Sequence, residues 1–234
     1  MATIAENLQA IHSRIEAACS TSGRDLNNVK LIAVSKTHAT DTIREAVTAG
    51  CTIFGENKVQ EAEGKIAELG RNAAEWHLVG HLQSNKARRA VELFDVIHSL
   101  DSVELADRLE RICIEDNRSS LPVLVQVDLA GEQTKSGINE SELDTLVERL
   151  VRCERLRFTG LMVLPPFFDD PEATRPYFVR LREIRDRLAD QNVFSDGRGE
   201  LSMGMSHDFE VAIEEGATMV RVGTAIFGER RYNK

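Results

Sequence analysis

The 234-residue chain has little of what would mark many function classes. Its four cysteines, Cys19, Cys51, Cys113 and Cys153, are far apart and form no CxxC pair, which argues against a disulfide framework or a cysteine metal site. They read as small buried hydrophobes of a reducing compartment. Basic residues are in deficit, 29 Lys plus Arg against 38 Asp plus Glu, for a net charge of −9. That balance argues against a nucleic acid or an anionic membrane as partner, because either favours a clustered basic face. The best basic cluster, Lys86-Ala87-Arg88-Arg89, reads as the solvated face of a helix. No apolar run approaches the ~20 residues that span a bilayer. The start of the chain has no basic-then-apolar signal, so a soluble cytoplasmic protein is expected. Prolines are few, and only Leu164-Pro165-Pro166-Phe167-Phe168 holds two together. With no Pro- or Ser-rich linker, one domain spanning 1–234 is expected.

What is present is alternation. Thr3-Ile4-Ala5-Glu6 looks like a capping box opening a helix with Ile4, Leu8, Ile11 and Ile15 on one face. Short β-branched runs follow at 29–35, 51–54, 76–79, 95–98, 122–128, 157–163, 199–203 and 219–222. Segments of helical period lie between them, such as Leu143, Leu146, Val147 and Leu150. Asp101-Ser102-Val103-Glu104 reads as a second capping box, and Gly50, Gly70 and Gly216 stand where helices end. Eight strands alternating with helices at this length predict a (β/α)8 TIM barrel with an added N-terminal helix. A doubly wound open sheet is the alternative.

Active sites of such barrels lie at the C-terminal ends of the strands, and phosphate sites are commonly built after strands seven and eight. Strand seven runs into Ser202-Met203-Gly204-Met205-Ser206, with Ser206 expected to cap a helix beginning at His207. Strand eight runs into Arg221-Val222-Gly223-Thr224-Ala225. Small residues admit a phosphate close to backbone N–H groups, hydroxyls add donors, and a helix start adds positive potential. Lys36 ends strand one, which barrel closure places beside strand eight. A lysine amine facing a phosphate cradle suits an aldehyde-bearing phosphorylated cofactor, pyridoxal phosphate above all. Arg221, a donor-only side chain, would hold a pyridine nitrogen unprotonated and weaken the ring as an electron sink. Asn57, after strand two, is a candidate ring contact or a helix cap. His77 in strand three is a candidate contact if its register turns it towards the ring, and a satisfied core histidine otherwise. Met203, with Met162 and Met205, would pack on a flat ring or fill the core. No His, Cys and carboxylate spacing suggests a metal.

The runs Ala33 to Lys36, Phe54 to Glu61, Trp76 to Lys86, Thr134 to Gly137, Leu201 to Ser206 and Val220 to Gly228 resemble the pyridoxal phosphate homeostasis proteins, the YggS/PROSC type. The resemblance covers essentially the whole chain. It implies a barrel like the N-terminal domain of alanine racemases, with pyridoxal phosphate held as a Schiff base on Lys36. By motif, Arg221 would face the pyridine nitrogen, Ser206, Gly223 and Thr224 the phosphate, and Met203 and Asn57 the ring. Leu78 and Asp128-Leu129-Ala130-Gly131 depart from the commoner family residues, outside these contacts. The implied role is to buffer or deliver the cofactor, to apo-enzymes among others, as a monomer without catalytic turnover. The alternative is a pyridoxal-phosphate enzyme such as an amino-acid racemase, which needs a second acid/base, commonly tyrosine. The two tyrosines, Tyr177 and Tyr232, fall on an outer helix and in the C-terminal tail.

Overall fold

The computed structural model describes residues 2–131 and 136–228. Helix α1 (Ile4–Ser22) opens with the expected box: Thr3 N–H donates to Glu6, and Glu6 N–H donates to Thr3 Oγ1. Its stripe Ile4, Leu8, Ile11, Ile15 and Ala18 is buried, and each large aliphatic there contributes about 1.5–3 kcal/mol. The helix ends at Gly23 in the left-handed conformation.

Eight parallel strands then close on themselves: β1 (Lys30–Val34), β2 (Ile53–Glu56), β3 (Glu75–Leu78), β4 (Val96–Leu100), β5 (Leu121–Asp128), β7 (Leu156–Met162), β8 (Glu200–Met205) and β9 (Met219–Val222). The first pairs with the last, Ile32 opposite Arg221 and Ala33 opposite Val222, and β4 pairs with β5 to complete the ring. That closure makes the sheet a TIM barrel and rules out the doubly wound alternative. Each predicted strand is found within a few residues. One further pair, β6 (Ile138–Asn139), adds to β5 and was too short to carry a pattern.

The helices α2 (Thr40–Thr48), α3 (Val59–Leu69), α4 (Ala87–Leu93), α5 (Val103–Glu115), α6 (Glu140–Val151), α7 (Arg175–Asp190), α8 (Phe209–Glu214) and α9 (Thr224–Phe227) follow strands in turn. The cap of α5 is Ser102, whose Oγ accepts from Leu105 N–H, one residue later than the expected Asp101.

Side chains alternate across the strands, giving two cores. The outward residues, such as Ala33, Trp76, Ile97, Leu161 and Val220, join the helices in one large apolar layer. The inward residues Ile32, Val34, Val79, Val96, Leu124, Met162 and Met219 form a smaller cluster filling the lumen. Cys19, Cys51 and Cys113 are buried and Cys153 is half-buried, all as free thiols.

Candidate functional site

The inward phase of β1 runs Ile32, Val34 and on to Lys36, so the strand's own periodicity turns Lys36 into a cavity at the C-terminal face. The residues on either side of Lys36 are tied down. Ser35 Oγ donates to Glu56 Oε1 at 2.6 Å, while Lys65 Nζ donates to Ser35 O at 2.8 Å and to Glu56 Oε1 and Glu61 Oε1 at 2.7 Å each. Thr37 takes a left-handed backbone (φ 68°), and its N–H donates to Glu61. A non-glycine residue holds that conformation only when its surroundings over-determine it. Burial pushes the Glu56 carboxyl above its usual range, and the Lys65 ammonium partly opposes that rise.

The cavity has a volume of about 410 Å³ and draws on the ends of several strands. Asn57 reaches it from the β2 loop, which lies against Gly80 so closely that a Cβ there would sit 2.4 Å from Asn57 O. Arg221, on the inward phase of β9, is 4% exposed. Its Nη1 donates to Ser202 Oγ at 2.5 Å and its Nη2 to Val163 O at 2.8 Å. Burial lowers its pKa to about 10 against the pull of Asp208, which leaves it a cation at neutral pH.

Ser206 does not cap α8, which begins at Phe209. Its Oγ instead accepts from Gly223 N–H at 3.2 Å and Ala225 N–H at 3.5 Å. The β8 and β9 loops therefore meet over the first turn of α9, with backbone donors converging on one oxygen. That is the geometry of an anion-binding turn. Thr224, exposed on that turn, offers a further hydroxyl. Phe167 and His207 stand at the cavity with ring centroids 5.4 Å apart, and His207 Nε2 lies 3.0 Å from Asp169 O.

The structure thus brings Lys36, Asn57, Ser206, Arg221, Gly223 and Thr224 to one cavity. It does not bring His77 or Met203 there. Met203 points outward into the helix layer, and Met205 takes its place because the β8 register shifts between Ser202 and Met205, at Gly204 with φ 89°. A shift of this kind reverses the phase of the residues after it. His77 faces the lumen at the other end of the barrel, against a cavity of about 750 Å³ lined also by Lys30, Glu75 and Glu200. That cavity is larger, but it sits at the N-terminal ends of the strands and is crossed by ion pairs such as Lys30 to Glu200 at 3.0 Å. The smaller cavity joins a lysine, a donor-only cation and converging amides, and is the candidate site. Tyr177 lies on α7 with its ring 6.1 Å from Phe168, and does not line the cavity. Tyr232, Thr134 and Lys135 lie outside the described residues.

Val34, Val79 and Leu164 also line the cavity, and strand phase alone would have found the first two. The set matches the parts of pyridoxal phosphate: an amine for its aldehyde, donors for its phosphate and a cation for its ring nitrogen. Among the described residues no group of His, Cys, Asp and Glu could hold a metal ion, and no helix is long and apolar enough to cross a membrane.

Comparison with known proteins gives the same family from sequence and from structure. Residues 6–231 match the family described as alanine racemase, N-terminal domain. Proteins named pyridoxal phosphate homeostasis protein match along nearly their whole length: 44% identical in Aquifex aeolicus over 97% of this chain and 98% of that one, and 42% identical in Escherichia coli K12 over all of both. The structure of PipY of Synechococcus elongatus PCC7942 with PLP bound superposes with a TM-score of 0.85 at 42% identity, over 97% of this chain and 100% of that one. Alanine racemase of Corynebacterium glutamicum shares the fold at 19% identity, with a TM-score of 0.69 over 97% of this chain and 63% of its own.

Proposed function

Since the chain belongs to the alanine racemase N-terminal domain family and to the pyridoxal phosphate homeostasis proteins within it, we propose that it binds pyridoxal 5'-phosphate and holds it for vitamin B6 homeostasis, without catalytic turnover. The observation that carries this reading is the convergence of Lys36, Arg221 and the Ser206–Gly223–Thr224 turn on one cavity of about 410 Å³. When bound, the cofactor supplies an electrophilic carbonyl carbon, with which the Lys36 amine condenses as a Schiff base with loss of water.

Each residue has a role set by its position. The bonds to Ser35 and Thr37 hold the Lys36 backbone, so the amine meets the carbonyl without ordering a loose loop. The amides of Gly223 and Ala225 donate to Ser206 Oγ in the ligand-free fold, and a phosphate oxygen would take the place of that acceptor, with the hydroxyls of Ser206 and Thr224 as further donors. Arg221 donates to the ring nitrogen and has no proton to give up at neutral pH, so it keeps that nitrogen unprotonated. A ring so held is a poor electron sink, which suits carriage better than carbanion chemistry. The cavity has no tyrosine among its described lining residues to serve as the second acid/base of a racemase. Apo-forms of pyridoxal-phosphate enzymes are the recipients we infer, with the protein acting as a monomer in the cytoplasm.

The test is the visible spectrum of the protein with pyridoxal phosphate, followed by borohydride reduction and peptide mapping. Wild type should gain the absorption of a Schiff base, and the reduced adduct should map to Lys36. Lys36→Ala should give neither. An adduct of unchanged stoichiometry in that variant would move the site to another lysine.

A further inference from the structure

A continuous polar chain crosses the lumen from one cavity to the other. Glu75 Oε1 lies 2.8 Å from His77 Nε2, His77 Nδ1 lies 2.8 Å from His98 Nε2, and His98 Nδ1 lies 2.9 Å from Ser202 Oγ. Ser202 Oγ in turn accepts from Arg221 Nη1 at 2.5 Å. The step from His98 to Ser202 joins β4 and β8, which are not neighbours in the sheet, so it spans the barrel. His77, His98, Ser202 and Arg221 are each 4% exposed or less, in a lumen otherwise filled with Ile32, Val34, Leu124 and Met162. Polar groups in such a place are costly unless every one is paired.

Hydrogen positions along the chain are ordered from the Glu75 end when both rings are neutral. Glu75 is an acceptor, so His77 donates to it from Nε2 and accepts at Nδ1 from His98 Nε2–H, which leaves His98 Nδ1 to accept from the Ser202 hydroxyl. Arg221 can only donate, and the second lone pair of Ser202 Oγ accepts from it in this arrangement. Every donor points from Arg221 towards Glu75.

We propose that Glu75, His77, His98 and Ser202 are positioning residues for Arg221, and that they form a relay carrying the protonation state of the N-terminal mouth to the guanidinium at the cofactor site. The proposal rests on the reading above for the role of Arg221 towards the cofactor. His77 and Glu75 line the N-terminal cavity, where a proton can arrive from solvent, and the Glu75 side chain is 49% exposed there. One added proton puts hydrogens on both nitrogens of His77. His98 must then present a bare Nε2, carry its hydrogen on Nδ1 and aim it at Ser202 Oγ. The Ser202 hydroxyl hydrogen loses its acceptor, and Ser202 Oγ now serves two donors, His98 and Arg221. The charged groups around this end are Glu75 on β3, Lys30 on β1, Glu200 on β8, Asp95 ahead of β4, Arg24, Arg185, Asp196 and Arg198 at the cavity wall, and His98 and Arg221 further along the lumen. Glu75 alone among them touches the His77 ring with a negative charge.

The experiment uses protein labelled with nitrogen-15 in histidine and arginine, first without cofactor and then with pyridoxal phosphate. In the ligand-free wild type at neutral pH, both rings should be neutral Nε2–H tautomers, and the Arg221 side-chain resonances should move with the titration of His77. Glu75→Gln removes the carboxylate facing His77 Nε2, and the pH response of the Arg221 resonances should change together with that of the His77 ring signals. Ser202→Ala should uncouple Arg221 from His77, and Ser202→Thr, which restores the hydroxyl, should recouple them. In loaded protein the visible spectrum should show the same inflection, moved equally by Glu75→Gln at the far mouth. An Nδ1–H tautomer at His98, or Arg221 resonances indifferent to His77 titration, would overturn the relay. If wild type takes up no pyridoxal phosphate, the cofactor reading falls, while the ligand-free titrations still decide the relay.

Discussion

The amine of Lys65 lies within 2.8 Å of three oxygens, those of Ser35, Glu56 and Glu61, and only 8% of its side chain is exposed. It joins the strand end carrying Lys36 to the loop after β2, so its charge is structural and its effect reaches the site. Removing one member of a buried pair leaves the other uncompensated. Lys65→Met should lower stability by about 3 kcal/mol, the low end for a buried pair, because burial already raises the Glu56 pKa and eases the uptake of a proton once Lys65 is gone. Urea unfolding measures this, and Lys65→Met with Glu56→Gln should recover part of the loss. Equal loss in both variants would show that the charge is not the cause. Lys36 was legible in the sequence because it ends a period-2 apolar run that closure sets beside β9. Lys65 was not, since Glu61 and Lys65 at i, i+4 look like any solvated helix pair. Only the tertiary approach of α3 to β1 buries it.

At the scale of the element, β8 decides which methionine faces the cavity. Gly204 takes φ 89°, and a Cβ there would lie 2.6 Å from Ala212 Cβ and 2.9 Å from Phe209 Cα. The strand is thus held against α8, and its phase turns between Ser202 and Met205. The sequence showed a small-residue loop at this point; the fold brings Ser206 and Gly223 together, while Met203, expected at the ring, turns outward into the helix layer. A phase shift has no pattern of its own in a six-residue strand. Gly204→Ala should cost about 2–5 kcal/mol, combining left-handed strain with overpacking against α8. It should also weaken retention of pyridoxal phosphate more than that of pyridoxal, because the displaced segment carries Ser206, which meets the Gly223 turn proposed to hold the phosphate. Equal weakening for both ligands would place the damage at the ring instead. Asp208 is part of the same brace, since its carboxylate accepts from Met205 N–H at 2.6 Å while burial raises its pKa.

The whole molecule is a barrel whose largely apolar lumen is crossed by one hydrogen-bonded line of side chains, and that line contributes to its response to acid. The closed ring was legible from eight alternating segments, but the line was not: Glu75, His77, His98 and Ser202 are scattered along the chain and meet only across the lumen. Full burial holds His98 well below the usual histidine range, with His77, Arg221 and Lys30 adding to the effect. Its folded pKa is depressed, so below about pH 6.5 the unfolded chain binds a proton that the folded one does not. Stability from this group is intact above that pH and is lost as the pH falls. The slope reaches about 1.4 kcal/mol per pH unit. Glu56, Asp101 and Asp208 have raised pKa values and pull the other way, because they take up protons earlier when folded. The absolute pH profile therefore mixes signs, and a difference between two proteins isolates the histidine. His98→Gln keeps a side-chain donor and acceptor but cannot be protonated, so it should cost stability at neutral pH and lose less of it on acidification. Urea unfolding of both proteins from neutral pH to about pH 5 should show the gap between them narrowing by about 1.4 kcal/mol per unit at most. A constant gap would mean that His98 is protonated in the fold, and with it that the lumen carries a positive charge at the one place where every neighbour is a donor or a neutral ring.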